Sequence, residues 1–168
     1  MDYILAPSIL SADFKVLGEQ MKFTEDNGAK YLHFDVMDGM FVPSISFGMP
    51  VLKSIHNATD QVMDAHLMVQ EPIRYVEAFK EAGADIVTIH LEACEDVNAT
   101  IVKIREARKM IIDQGLFVDI QVDGGIYQTN VKEVLDAGAN IIVAGSAVFK
   151  GDPAENTKAM MEILKTYE

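Results

Sequence analysis

Tyr31-Leu32-His33-Phe34-Asp35-Val36-Met37-Asp38 is the stretch from which the rest of the chain can be read. Side chains alternate faces along a strand, so His33, Asp35 and Met37 point one way and Leu32, Phe34 and Val36 the other. A strand covered on both sides normally carries apolar groups on both. Here one face holds an imidazole and a carboxylate two residues apart, and such a pair is unfavourable in a buried position unless something compensates it. A bound divalent cation and a salt-bridged core pair both do so, and this stretch alone admits either.

Working outward, the same kind of segment recurs. Tyr3 to Pro7 is a strand ahead of it. Gln61 to Val69 is a third, with Asp64, His66 and Met68 on one face, and Asp85 to Leu91 a fourth, ending at His90. Leu116 to Val122 is a fifth, delivering Asp123 and Gly124-Gly125, and Asn140 to Ala144 a sixth, delivering Gly145-Ser146. Helical patterns lie between them, on Val16, Leu17, Met21 and Phe23, on Val51, Leu52 and Ile55, and on Ile73, Val76, Phe79 and Ala82 after Glu71-Pro72. The longest runs from Asp96 to about Gln114, with Val97, Ile101, Ile104, Ala107 and Ile111 on one side. Two more span about Asn130 to Ala137 and the stretch capped by Asp152-Pro153, whose inner face is Met160, Met161 and Leu164.

Strict alternation of strand and helix means α/β with a parallel sheet. Asn27-Gly28-Ala29, Ala82-Gly83-Ala84 and Ala137-Gly138-Ala139 each end a helix and lead into a strand, the same turn chemistry used three times. Such a repeat suits a radially symmetric barrel, and no Gly-rich dinucleotide fingerprint follows the first strand. The expectation is one domain over 1–168, a TIM-barrel-like parallel barrel reduced to six βα units where the full architecture has eight.

Composition narrows the function classes. A chain of 168 residues with 49% apolar content can bury one sizeable core. The net charge of −12 argues against a nucleic-acid partner, which needs clustered Lys and Arg. No apolar run reaches the length of a membrane span and no secretory leader pattern opens the chain, so a cytoplasmic protein is expected. Cys94 is the sole cysteine, which excludes an internal disulfide and fits a reducing compartment.

Barrel active sites lie at the C-terminal ends of strands, and there the chain places Ser8, His33, Asp35, His66, Asp123 and Ser146. Two imidazoles and two carboxylates from three strands suit zinc, iron, manganese or cobalt, and the absence of thiolates points to an open catalytic site rather than a closed structural one. As isolated residues, His33 and His66 are equally compatible with hydrogen-bonded core positions. Gly124-Gly125 and Gly145-Ser146 follow the last two strands, where exposed backbone N–H groups can hold a phosphate. Metal, two carboxylates and a phosphate grip suggest proton transfer beside the carbonyl of a small sugar phosphate, one carboxylate acting as base and the other returning a proton on the opposite face. That reaction is an epimerisation, with Met37 and Met68 lining its floor.

Leu5-Ala6-Pro7-Ser8-Ile9-Leu10-Ser11-Ala12-Asp13, His33-Phe34-Asp35-Val36-Met37-Asp38-Gly39, His66-Leu67-Met68, His90-Leu91-Glu92, Asp123-Gly124-Gly125-Ile126 and Ala144-Gly145-Ser146 together resemble the ribulose-phosphate 3-epimerase family. The resemblance implies a TIM barrel of the pentose phosphate pathway that interconverts ribulose 5-phosphate and xylulose 5-phosphate with one divalent metal ion. It implies His33, Asp35, His66 and Asp123 as metal ligands and Asp35 and Asp123 as the acid/base pair. By the same resemblance Ser8 contacts the substrate and Gly125, Gly145 and Ser146 grip its phosphate, and His66 is expected to join Met37 and Met68 against the substrate. Allulose 6-phosphate is the alternative substrate.

The chain also departs from that pattern. Between Ala107 and Arg108 the family carries two further βα units, including a loop of the form Asn-Pro-Gly-Phe-Gly-Gly-Gln, and Ser44 stands where the motif often has asparagine. Removing an even number of units keeps inward side chains in phase, so a compact six-unit barrel associating with itself is the expectation. The competing one, from another functional class, is a non-catalytic or engineered minimal barrel that keeps the metal site and turns nothing over.

Overall fold

The computed structural model describes residues 2–70, 74–89, 109, 112 and 120–167. Among the described residues six strands run in chain order as β1 (Ile4–Pro7), β2 (Tyr31–Met37), β3 (Val62–Met68), β4 (Ile86–Ile89), β5 (Gln121–Val122) and β6 (Ile141–Ala144). The α-helices are α1 (Leu17–Asp26), α2 (Met49–Ile55), α3 (Val76–Glu81), α4 (Val131–Asp136), α5 (Ser146–Phe149) and α6 (Pro153–Lys165). Apart from Lys109 and Ile112, which are helical, the helix expected over 96–114 falls outside the described residues, as do the junction after Ala107, Cys94, His90 and the first residues of the expected fifth strand.

Among the described residues all strand pairs are parallel and form two sheets, ordered β1-β6-β5 and β2-β3-β4. A parallel bridge between Ser8 and His33 joins the end of β1 to β2. Taken through that bridge, the strands lie in the order β5-β6-β1-β2-β3-β4, so each is flanked by its neighbours in sequence. This is the sequence-neighbour order of α/β barrels, in contrast to the reversal that marks a doubly wound sheet.

The expected turn repeat is real and is one motif. Gly28, Gly83 and Gly138 have φ of 97°, 109° and 110°, a region that residues with a Cβ rarely adopt. In each case the following alanine N–H reaches back five residues, Ala29 to Thr24, Ala84 to Phe79 and Ala139 to Val134. That is the Schellman closure of a helix C-terminus, and it turns the chain into the next strand within two residues. At the other end of α6, the Asp152 carboxylate accepts from the N–H groups of Ala154 and Glu155, with Pro153 in the first turn.

Alternation sorts the strand residues into two environments. Leu5, Leu32, Phe34, Met63, Leu67 and Ile142 are fully buried or nearly so in the core shared with the helices, joined there by Met21, Leu52, Phe79, Met160 and Leu164. Phe34 anchors it, with ring centroids 4.5 Å from Phe47 and 6.4 Å from Phe79. The opposite face begins apolar, with Ala6, Ile141 and Val143 packed against Ile4 and Tyr31, and turns polar toward the strand C-termini. One element was not distinguished from sequence. The four-residue α5 directly after Gly145 is too short to show a period, and the expected sixth strand ended at Ala144 with no element assigned after it.

Candidate active site

The register of β2 on β3 sets His33 against Asp64 and Asp35 against His66, and β3 on β4 sets His66 against Thr88. Because each pair occupies the same face, four titratable side chains meet in two adjacent layers. Asp123 enters from the end of β5 and Ser8 from the end of β1.

The side chains converge tightly. His33 Nε2 lies 3.2 Å from Asp35 Oδ1, 3.3 Å from His66 Nδ1 and 3.5 Å from Asp123 Oδ2. His66 Nδ1 lies 3.2 Å from Asp35 Oδ1 and 3.6 Å from Asp123 Oδ2. One ligand atom from each of His33, Asp35, His66 and Asp123 falls within 4.8 Å of the others. The Ser8 hydroxyl donates to the second Asp35 oxygen, Oδ2, at 2.5 Å. His33 is fully buried, Asp35 and His66 nearly so, and the Asp123 side chain is 36% exposed, so it alone of the four opens substantially to solvent.

Electrostatics follow from this crowding. Burial works against charge on His33, but hydrogen bonds to Asp123, Asp35 and Asp64 outweigh it and hold the imidazole well above its ordinary value. Burial likewise opposes charge on His66, and Asp123 and Asp35 outweigh it, so that its pKa is also raised. Burial would raise the Asp35 carboxyl, yet hydrogen bonds from His33 and His66 hold it far below the usual carboxylate range. For Asp123 the same competition, burial against His33 and His66, leaves it at about 2.

The protein by itself therefore uses imidazolium protons to neutralise its carboxylates, and this has a pH consequence. Raised imidazoles contribute stability that is fully present below the ordinary value of 6.5 and lost as pH rises through the folded values. The depressed carboxylates contribute stability present above 3.8 and lost only as pH falls through their folded values. The metal-free protein is expected to melt at progressively lower temperature as pH is raised from neutral to about 9. Thermal melts in chelator across that range check this, and a flat or rising profile would refute it.

Two imidazole nitrogens and two carboxylate oxygens, clustered and largely withdrawn from water, fit a divalent cation. Borderline nitrogen donors with hard oxygen donors suit first-row transition ions, and thiolate or all-oxygen preferences are not served. Above the donors opens a cavity of about 250 Å³. Ser8, Asp35, Met37, Met68 and Asp123 line one side, and Gly124, Gly125, Gly145 and Ser146 the other. Every residue expected at the site is thus brought to one place, with His33 and His66 beneath the cavity.

Three participants were missed. Asp64 accepts from His33 Nδ1 at 2.8 Å, from Thr88 Oγ1 at 2.7 Å and from Gln121 Nε2 at 2.8 Å. The signal for Asp64 was its place two residues before His66; Thr88 and Gln121 had none, because only register brings them in. Tyr127, whose hydroxyl pairs with Ser146 Oγ at 2.9 Å, is a fourth neighbour beyond the expected set.

Comparison with known proteins gives consistent results. The family model described as "Ribulose-phosphate 3 epimerase family" matches residues 4–107 and again 97–149. A ribulose-phosphate 3-epimerase from Bacillus subtilis is 35% identical over 212 positions, covering 95% of this chain and 97% of that protein. One from Synechocystis is 37% identical over 200 positions, covering 87% of each. The alignment of 212 positions is longer than the 168 residues of the chain, and the two segments matched by the family model overlap at 97–107. Among solved structures, monomers of the phosphoribosylanthranilate isomerase from Thermotoga maritima superpose with a TM-score of 0.67 at 13% identity, covering 97% of this chain and 98% of that one. Orotidine 5'-phosphate decarboxylase from Pyrococcus horikoshii gives 0.66 at 17%, covering 96% and 99%. At such identities these two bear on fold alone, and they place the chain among TIM-barrel-type folds. Among the described residues no helix is long and apolar enough to cross a membrane.

Proposed function

The chain belongs to the ribulose-phosphate 3-epimerase family, and from that premise we propose that it interconverts ribulose 5-phosphate and xylulose 5-phosphate at this cavity, with His33, Asp35, His66 and Asp123 holding one divalent ion. The observation that carries the reading is that two carboxylates from different strands, Asp35 and Asp123, line one cavity while sharing contacts with the same two imidazoles.

Inverting a carbon beside a carbonyl requires removing its proton on one face and supplying one on the other. Two carboxylates reached from different strands provide for both, one accepting as the other donates, and exchange of their roles runs the reaction in reverse. The Ser8 hydroxyl fixes the Asp35 oxygen that faces away from the imidazoles, so the carboxylate enters the reaction already oriented. Asp123, on the more open side, directly follows β5 and precedes the phosphate-side Gly124-Gly125, which ties acid/base geometry to substrate grip. When bound, the cation supplies positive charge beside the oxygen that becomes negative as the proton leaves carbon. Met37 and Met68 give the floor an apolar surface that excludes water from the planar, proton-depleted substrate. The same reading takes the six strands as a reduced barrel with this cavity as its mouth.

The phosphate is assigned to backbone N–H groups around Gly125, Gly145 and Ser146. No lysine or arginine is among the described lining residues, so backbone donors carry the grip. A Cβ at Gly145 would lie 2.6 Å from Ser11 Oγ and 3.6 Å from Ser8 Cβ, pressing on the cavity wall. Gly145→Ala is expected to raise KM by roughly tenfold with a smaller effect on kcat. Steady-state kinetics check it, and an unchanged KM would remove Gly145 from the grip.

A coupled assay on ribulose 5-phosphate with added zinc, iron, cobalt or manganese, alongside allulose 6-phosphate, tests the function. Turnover of the pentose supports it; preference for the hexose reassigns the substrate; no turnover with any ion favours a barrel that binds metal without catalysis.

A further inference from the structure

Asp64 is fully buried and has no place in the chemistry above, yet three strands bond to it. Its Oδ2 takes His33 Nδ1 from β2 and Gln121 Nε2 from β5, and its Oδ1 takes the Thr88 hydroxyl from β4. Among the described residues β4 and β5 are the outermost strands of the two sheets, so the carboxylate of β3 tethers both ends of that strand order from inside. An ionised carboxylate accepts only, so it selects the His33 ring orientation in which Nδ1–H faces Asp64 and Nε2 faces Asp35, His66 and Asp123. Gln121 lies two residues before Asp123 and therefore on the same face of β5, so its bond to Asp64 also sets where Asp123 hangs.

From these contacts we infer that Asp64, acting through His33 and Gln121, is the positioning residue of the site: it aims one imidazole and holds β5 so that Asp123 reaches the other donors. A purely structural carboxylate would be as well served by core partners; this one bonds the far nitrogen of one candidate ligand and the strand carrying another. Partners behind metal-binding imidazoles commonly alter metal affinity by about 10-fold to 100-fold. The inference rests on the four-donor reading above, and its test separates the two.

The full chain, stripped of metal, is titrated with Co²⁺ against a competing chelator, reading the visible absorption of the bound ion. Asp64→Asn keeps the shape and an accepting oxygen but loses the charge, and is expected to bind Co²⁺ about tenfold more weakly with a shifted spectrum. Gln121→Leu is expected to weaken binding by a comparable factor. Asp64→Leu combined with Gln121→Leu should be no weaker than Asp64→Leu alone, since both remove the same bond. Should Asp64→Leu fail to fold, Asp64→Asn and Gln121→Leu decide. Folded variants with parental Co²⁺ affinity and spectrum, and only a lower metal-free melting temperature, would overturn the inference while leaving the four-donor site intact. A parent that takes up no Co²⁺ would overturn both.

Discussion

Asp35→Asn and Asp123→Asn are each expected to lower kcat on ribulose 5-phosphate by about 10³-fold or more, because on the proposed mechanism each removes one of the two groups that move a proton. Asparagine is close to isosteric, so the cavity and the Ser8 contact keep their shape while the acid/base function goes. The double variant falls little further than either single one, since a step that needs both groups is already blocked by losing one. Both substitutions also remove a charge from the cation site, so kinetics are read with the ion saturating. Activity within tenfold of the parent in either variant would remove that residue from the acid/base pair. Exchange of the substrate's proton with solvent without net epimerisation in one variant would identify which carboxylate serves which face.

Adding a divalent ion is expected to raise the melting temperature of the metal-free chain substantially. An ion present at about a thousand times its dissociation constant stabilises the folded state by about 4 kcal/mol, provided the unfolded chain does not bind it. For a chain of this size that corresponds to a shift on the order of 10 °C. The gain grows with pH, since the imidazolium protons that neutralise Asp35 and Asp123 in the absence of the ion are lost at high pH and the ion takes their place. His66→Ala removes one donor from the set and should abolish most of the shift, and chelator should reverse it. Melts with zinc, cobalt, manganese and iron(II) that all overlay the metal-free curve would return His33 and His66 to the status of hydrogen-bonded core residues.

Much of this molecule was legible in its residues. The period-two pattern of Tyr31 to Met37 set Leu32 and Phe34 in the helix-facing core and His33 and Asp35 on the opposite face, since alternation along a strand is a local geometric fact. Gly28, Gly83 and Gly138 announced three identical helix ends because a left-handed residue is what that turn requires. The four-residue α5 escaped notice, being shorter than any period it might display.

What the chain order does not contain is register. Asp64 carried a visible hint in its distance from His66, but nothing local ties it to His33, Thr88 and Gln121. Those contacts exist because apolar packing behind the strands slides β2, β3 and β4 into one alignment and because the Ser8–His33 bridge sets the two sheets side by side. The residues alone determined which groups share a face; tertiary packing decided which of them touch, since a strand's alternation says nothing about its offset from the next.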